Sequence, residues 1–216
     1  MLFDGKRNKI LVKVVAIIAI AAFLGFGLIA GGLAVSGGCG ANDPAQVAID
    51  EARAQVSNAT AQAQAARTAL KANARNAQAR RELAAARADL SSAQSQLASA
   101  LAALNQSDPQ AVKAAEAAVG LAPDDLNAIQ SLATIALAQG QTQAPLRALA
   151  RYTVRHPNDA QAFLLWGQVA EQSGQIPQAI LAYQQFVSLA PDDTLAPDVR
   201  THLKDLATQQ AKTTTG

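Results

Sequence analysis

The chain is short of the side chains that do chemistry and of those that fill large cores. Among 216 residues there are one cysteine, Cys39, two histidines, His156 and His202, and one tryptophan, Trp166, and aromatic residues make up 4%. One cysteine excludes an internal disulfide framework. The histidines lie 46 residues apart without the local spacing of metal ligands, and Cys39 is far from both in sequence. Neither a metal centre nor a Cys–His nucleophile is therefore expected, and no enzymatic activity or cofactor is read from the chain. Strands are equally unsupported. Beyond residue 44, β-branched and aromatic residues are sparse, while the good helix formers Ala, Gln, Leu, Arg and Glu dominate, so this part reads as all-α. Charge removes one more class of partner. The formal net charge is +2, yet residues 105–216 carry seven basic and ten acidic side chains, the opposite of a nucleic-acid footprint.

What is present begins with an apolar run. Residues 10–35 read ILVKVVAIIAIAAFLGFGLIAGGLAV, and the 22 residues after Lys13 carry no charge. About 20 apolar residues span a bilayer as a helix, so this stretch is long enough to cross. Lys6, Arg7, Lys9 and Lys13 precede the uncharged run and no basic residue closely follows it. That asymmetry places residues 1–9 in the cytoplasm and the C-terminal domain on the extracytoplasmic side. The expectation is an uncleaved single-pass transmembrane helix in the cell membrane, then a flexible linker at 36–43. Two other readings stay open. Ala34-Val35-Ser36 could be a signal cleavage site, although the run exceeds the roughly 7 to 15 residues of a cleaved signal. Cys39 could be lipidated, although Ser36 stands where a lipobox carries a bulky apolar residue. Gly27 and Gly31 form a GxxxG pair, one route to a homo-oligomer through the membrane helix.

Asp43 and Pro44 open the next segment as N-cap and first helical residue. Residues 45–104 contain 23 alanines, among which larger residues recur in heptads. Ile49, Val56, Ala63 and Leu70 are each followed three residues later by Ala52, Ala59, Ala66 and Asn73. Leu83, Leu90, Leu97 and Leu104 repeat the pattern, with Ala86, Ala93 and Ala100 after the first three. A seam of one large and one small residue suits two closely packed helices. Between Leu70 and Leu83 the frame slips by one residue, which a continuous coiled coil tolerates poorly, so a turn is expected near 73–76. Asparagine accepts the left-handed conformation that ends a helix and also caps the next one. Residues 44–104 thus read as a helical hairpin, each arm about 42 Å long at 1.5 Å per residue. A continuous rod is the alternative, and the hairpin is a second route to a homo-oligomer.

From Asp108-Pro109 onward the helices shorten and a period appears. PQAVKAAEAAVGLAPDD from Pro109 aligns without gaps to PQAILAYQQFVSLAPDD from Pro177, with ten identities in seventeen positions, and Pro123, Pro157 and Pro191 stand 34 residues apart. Two helices per 34 residues is the arrangement of the tetratricopeptide repeat (TPR). Residues 160–193 resemble it closely: Trp166-Gly167 for the Leu-Gly pair, Gly174 for the turn, Ala179 for the small residue of the second helix, Tyr183 for its aromatic and Pro191 for the end, with Phe163 packing beside Trp166. Residues 126–159 resemble it more loosely through Leu132, Gly140 and Pro157; Pro145 occupies the place of the small alanine, which puts a tight crossing in doubt. Residues 105–125 supply a second helix whose partner would be the end of the hairpin. A TPR-like array is therefore expected over 105–193, with a capping helix and disordered tail at 194–216.

The resemblance implies a concave groove lined by the first helices, which takes a protein or peptide partner. Its lining would be Asn127, Gln130, Thr134 and Leu137 from one repeat, and Gln161, Leu164, Gln168 and Glu171 from the next. This set is rich in amides and lacks the lysines and arginine of the TPRs that clamp a C-terminal carboxylate. The pairs Asp124-Asp125 and Asp192-Asp193 read as helix caps rather than acid–base pairs. In layout the chain is similar to bacterial membrane-anchored TPR scaffolds that serve envelope protein assembly or secretion. An alternative is a hairpin adaptor docking onto a secretion or efflux channel, although such adaptors carry β-rich domains beside the hairpin.

Overall fold

The computed structural model describes residues 43–214, with side chains to residue 210. The apolar run expected to cross the membrane, residues 36–42 of the expected linker with Cys39, and residues 215–216 lie outside this range. Among the described residues no helix is long and apolar enough to cross a membrane.

One turn, used five times, organises the chain. At 73–76, 105–108, 122–125, 156–159 and 190–193 the preceding helix ends, and the fourth residue donates its N–H to the first residue's carbonyl at 2.9–3.2 Å. That fourth residue is Asn76, Asp108, Asp125, Asp159 or Asp193. Its side-chain oxygen then accepts an N–H two or three residues on, at 2.8–3.3 Å. In the first four turns, closing one helix and capping the next in four residues satisfies backbone groups that a helix end otherwise leaves to water, whereas Asp193 holds the Leu195 N–H in a turn before the last helix starts at Ala196. Proline fills the second position in the last three turns, where its fixed φ suits a tight turn. Asn73 departs from the expectation for it. No non-glycine residue among those described has positive φ, and Asn73 is extended, φ −145° and ψ 99°. Its Oδ1 accepts the Arg75 N–H at 3.0 Å, so a side-chain turn does what left-handed backbone was expected to do.

These turns and two others delimit α1 (Pro44–Ala72), α2 (Ala77–Leu104), α3 (Pro109–Leu121), α4 (Leu126–Ala138), α5 (Gln143–Arg155), α6 (Ala160–Gln172), α7 (Ile176–Leu189) and α8 (Ala196–Thr214), with no strand among the described residues. The turns inside the pairs α4–α5 and α6–α7 centre on glycines. Gly140 and Gly174 have φ of 69° and 73°, which only glycine adopts without strain. Gln141 and Gln175 donate back to the Ala136 and Ala170 carbonyls at 2.8 Å, closing each first helix. Pro145 is the third residue of α5, which begins at Gln143. The N–H groups of a first turn have no acceptor within the helix, so proline there breaks no bond.

Along the hairpin, apart from Ile49 and Leu101 at its base, the small residues rather than the large ones lie deepest. Ala52, Ala59, Ala63, Ala66, Ala79, Ala86 and Ala93 are buried, whereas Val56, Leu70, Leu83, Leu90 and Leu97 are only partly covered. Alanine at the seam brings the arms close, and the larger side chains then flank it. At its base the hairpin joins the array. Ile49 of α1 and Ala98 and Leu101 of α2 share a core with Ala111, Val112 and Ala115 of α3 and with Leu132, Ile135 and Ala136 of α4. Ser91, buried on α2, donates to the Ala118 carbonyl of α3 at 3.0 Å.

From α4 onward the fold is TPR-like, an all-helical stack of paired helices at a 34-residue spacing. Its core holds Ile129, Leu149, Tyr152, Val169, Tyr183 and Phe186, and α8 closes it with Ala196 and Leu206. The helix of α8 runs to Thr214. α6 and α7 pack along much more of their length than α4 and α5 do.

Candidate functional site

The first-helix surface is narrower than the sequence pattern implies. Asn127, Thr134 and Gln161 are exposed, and Gln130 and Gln168 are partly so. Leu164 is a correction: it is 7% exposed and belongs to the core, because it continues the apolar stripe that holds α6 in the stack. Leu137 is partly buried against the same core. Glu171 is a second correction. Its Oε2 accepts the Tyr183 hydroxyl at 3.0 Å and meets His202 Nε2 of α8 at 2.8 Å, so its charge is directed inward. The other structural positions fall where packing needs them: Leu132, Gly167, Ala179 and Tyr183 are buried, while Pro157 and Pro191 lie exposed in turns.

Polar links between neighbouring units recur one repeat apart. Arg155 Nε donates to Asp124 Oδ1 at 2.6 Å and Arg155 Nη2 to the Pro123 carbonyl at 2.7 Å, while His156 Nε2 lies 3.1 Å from the same Asp124 oxygen. The hydrogen bond from Arg155, then that from His156, holds the Asp124 carboxyl below the usual carboxylate range. The acidic pairs thus divide their work: Asp125 caps α4 and Asp193 holds the turn before α8, whereas Asp124 ties one turn to the next. Tyr152 donates to Asp159 Oδ2 at 2.8 Å and stacks on His156 with ring centroids 4.3 Å apart. Burial, then the bond to Asp159, pushes its phenol up to about 12. Burial likewise raises Tyr183. The bond to Glu171 raises His202, favouring an imidazolium paired with a carboxylate beneath the capping helix.

A cavity lies elsewhere, between the second helices α5 and α7. It has a volume of about 660 Å³. Phe163 and Trp166 of α6, stacked at 6.3 Å with an interplanar angle of 25°, form its floor, and Leu146, Arg147, Leu181 and several glutamines wall it. Three residues apart on α6, Phe163 and Trp166 project from the side opposite Gln161 and Gln168. None of the groove residues expected from the sequence lines this cavity. Leu181 carries the signal that could have found it, because it falls out of phase with the buried positions Ala179, Ala182, Tyr183 and Phe186 and is 67% exposed.

No protein-family model matches the chain, and no curated protein matches it. Among solved structures, residues 41 to the end of MamA from Desulfovibrio magneticus RS-1 match at 20% identity, covering 69% of this chain and 97% of that one, with a TM-score of 0.40. A crystal structure of MamA matches at 18% identity over 78% of this chain and 87% of that one, also with a TM-score of 0.40. At these scores the likeness carries no argument, and the functional reading rests on the chain's own geometry.

Proposed function

We propose that the chain is a membrane-anchored extracytoplasmic scaffold that holds protein partners, in the service of envelope protein assembly or secretion, and has no catalysis of its own. The observation that carries the reading is the stack α4–α7, in which helix pairs at a 34-residue spacing expose polar side chains of the first helices and leave a cavity between the second helices. Such stacks bind extended or helical segments, because successive helices present regularly spaced side chains along one face. The apolar run of residues 14–35 supplies the tether, with the basic N-terminus in the cytoplasm.

The test is photo-crosslinking of the full-length protein in its native membrane, with the reactive group placed at Gln130, Gln168 or Leu181. Discrete protein adducts, lost when the array is unfolded, support the scaffold; absence of adducts at all three positions overturns it. A second reading, the hairpin adaptor, is favoured by the hairpin tip. Arg67, Lys71, Arg75, Arg80 and Arg81 are exposed there, with no acidic residue between Glu51 and Glu82. Adducts confined to a probe at Arg75, with a transport channel as the captured protein, would replace the scaffold by the adaptor.

A further inference from the structure

The cavity between α5 and α7 combines three features that together define an occupant. Its floor is aromatic, from Phe163 and Trp166, and Leu181 adds an exposed apolar edge. Its walls carry the amides of Gln143, Gln178, Gln184 and Gln185, which can both donate to and accept from a peptide backbone. Its charge has one sign. Arg147 lines the cavity and Arg151 stands exposed one turn further along α5, and neither forms an ion pair among the described residues. No acidic residue occurs on α5 or α7.

We propose that this cavity binds an extended acidic peptide segment of a partner protein: an apolar side chain on the Phe163–Trp166 floor, a carboxylate at Arg147, and backbone amides against the glutamines. The proposal deepens the scaffold reading and rests on it. A guanidinium with no internal acid gives a carboxylate a bidentate partner. The aromatic floor supplies apolar burial whatever the sequence of the segment, so charge rather than shape selects the partner.

Trp166 is the only tryptophan in the chain, and its emission reports the cavity directly. The full-length protein in detergent micelles is titrated with a blocked, tryptophan-free decapeptide alternating Glu and Leu, with its Gln–Leu counterpart and with its Lys–Leu counterpart. The Glu–Leu peptide is expected to shift Trp166 emission and to bind about tenfold more tightly than the Gln–Leu peptide, an advantage of roughly one decade in Kd that added salt erodes. R147E should abolish the preference and turn it toward the Lys–Leu peptide, and L181Q should weaken both acidic and neutral peptides alike. Because R147E could perturb folding, R147Q is measured beside it, with helical circular dichroism as the control; loss of the acid preference in R147Q with unchanged helicity supports the proposal. Equal binding of acidic and neutral peptides, an R147Q indistinguishable from the parent, or a Trp166 response only to anionic vesicles would overturn it. Crosslinks at Gln130 or Gln168 without any at Leu181 would overturn this site and leave the scaffold standing; crosslinks at none of the three would remove both.

Discussion

Ala133, Pro145 and Leu149 hold in the repeat of residues 126–159 the places that Gly167, Ala179 and Tyr183 hold in residues 160–193. The turns that bound the two repeats are alike, down to the left-handed glycine and the capping aspartate. The packing is not. A Cβ built on Gly167 would meet the Tyr183 ring at 2.5 Å from Cδ1 and 2.9 Å from Cγ, so the ring lies directly on the backbone of α6. The fully buried Ala179 completes the crossing, and α6 and α7 stay together over much of their length. With a methyl group in place of the glycine hydrogen and a proline ring in place of Ala179, α4 and α5 meet more briefly. Local turn chemistry therefore sets where the helices run, and a few small residues set how closely they pack.

The sharpest way to break this comparison is to exchange the proline. Ala179 is the fourth residue of α7, and its N–H donates to the Gln175 carbonyl at 3.0 Å. Ala179→Pro loses that bond and forces a ring into the tight crossing, so a loss of about 3 kcal/mol or more is expected in urea unfolding followed by circular dichroism. Gly167→Val comes next: overpacking against Tyr183 should cost about 2 to 3 kcal/mol, against about 1 for Ala133→Val at the looser crossing. Equal costs at 133 and 167 would show that the two crossings are equivalent after all.

A third measurement concerns α8, which only the second repeat touches through a titrating pair. The folded-state pKa of His202 is raised, so its contribution is fully present below the unfolded value near 6.5 and is lost as pH rises through the folded value. Melting temperature should fall as pH is raised from 6 toward 8, and His202→Gln should flatten this dependence. His202→Ala removes a hydrogen bond to a carboxylate, for a loss on the order of 1 kcal/mol at pH 6. The smallest effect belongs to Pro145→Ala. Proline in the first turn costs no hydrogen bond and restricts the unfolded chain, so this change should stay within about 1 kcal/mol in either direction; a larger stabilisation would mean that the proline itself holds α4 and α5 apart.

Much of the fold could be read from the residues. The 34-residue spacing of Pro123, Pro157 and Pro191, the heptad alanines and the Asp-Pro starts are local signals, and each corresponds to a turn or a helix in the structure. The candidate surface was less legible. Leu164 and Gln130 hold equivalent repeat positions, yet one is in the core and the other is partly exposed, because burial depends on what neighbouring helices place opposite. Glu171 looked like a surface charge until Tyr183 and His202, 12 and 31 residues away, converged on it. Residues so distant in sequence leave no periodic trace of a shared hydrogen bond.

By itself the sequence determined the turn near 73–76, the 34-residue repeat and the aspartates and prolines of the turns between helices, since each depends on hydrogen bonds and φ restrictions within a few residues. Only the tertiary structure decided which helix pair packs tightly, which acids turn inward, and that a cavity opens over Phe163 and Trp166 between α5 and α7. Those outcomes depend on the relative placement of helices, and that is fixed by side-chain volumes meeting across the stack rather than by any one segment.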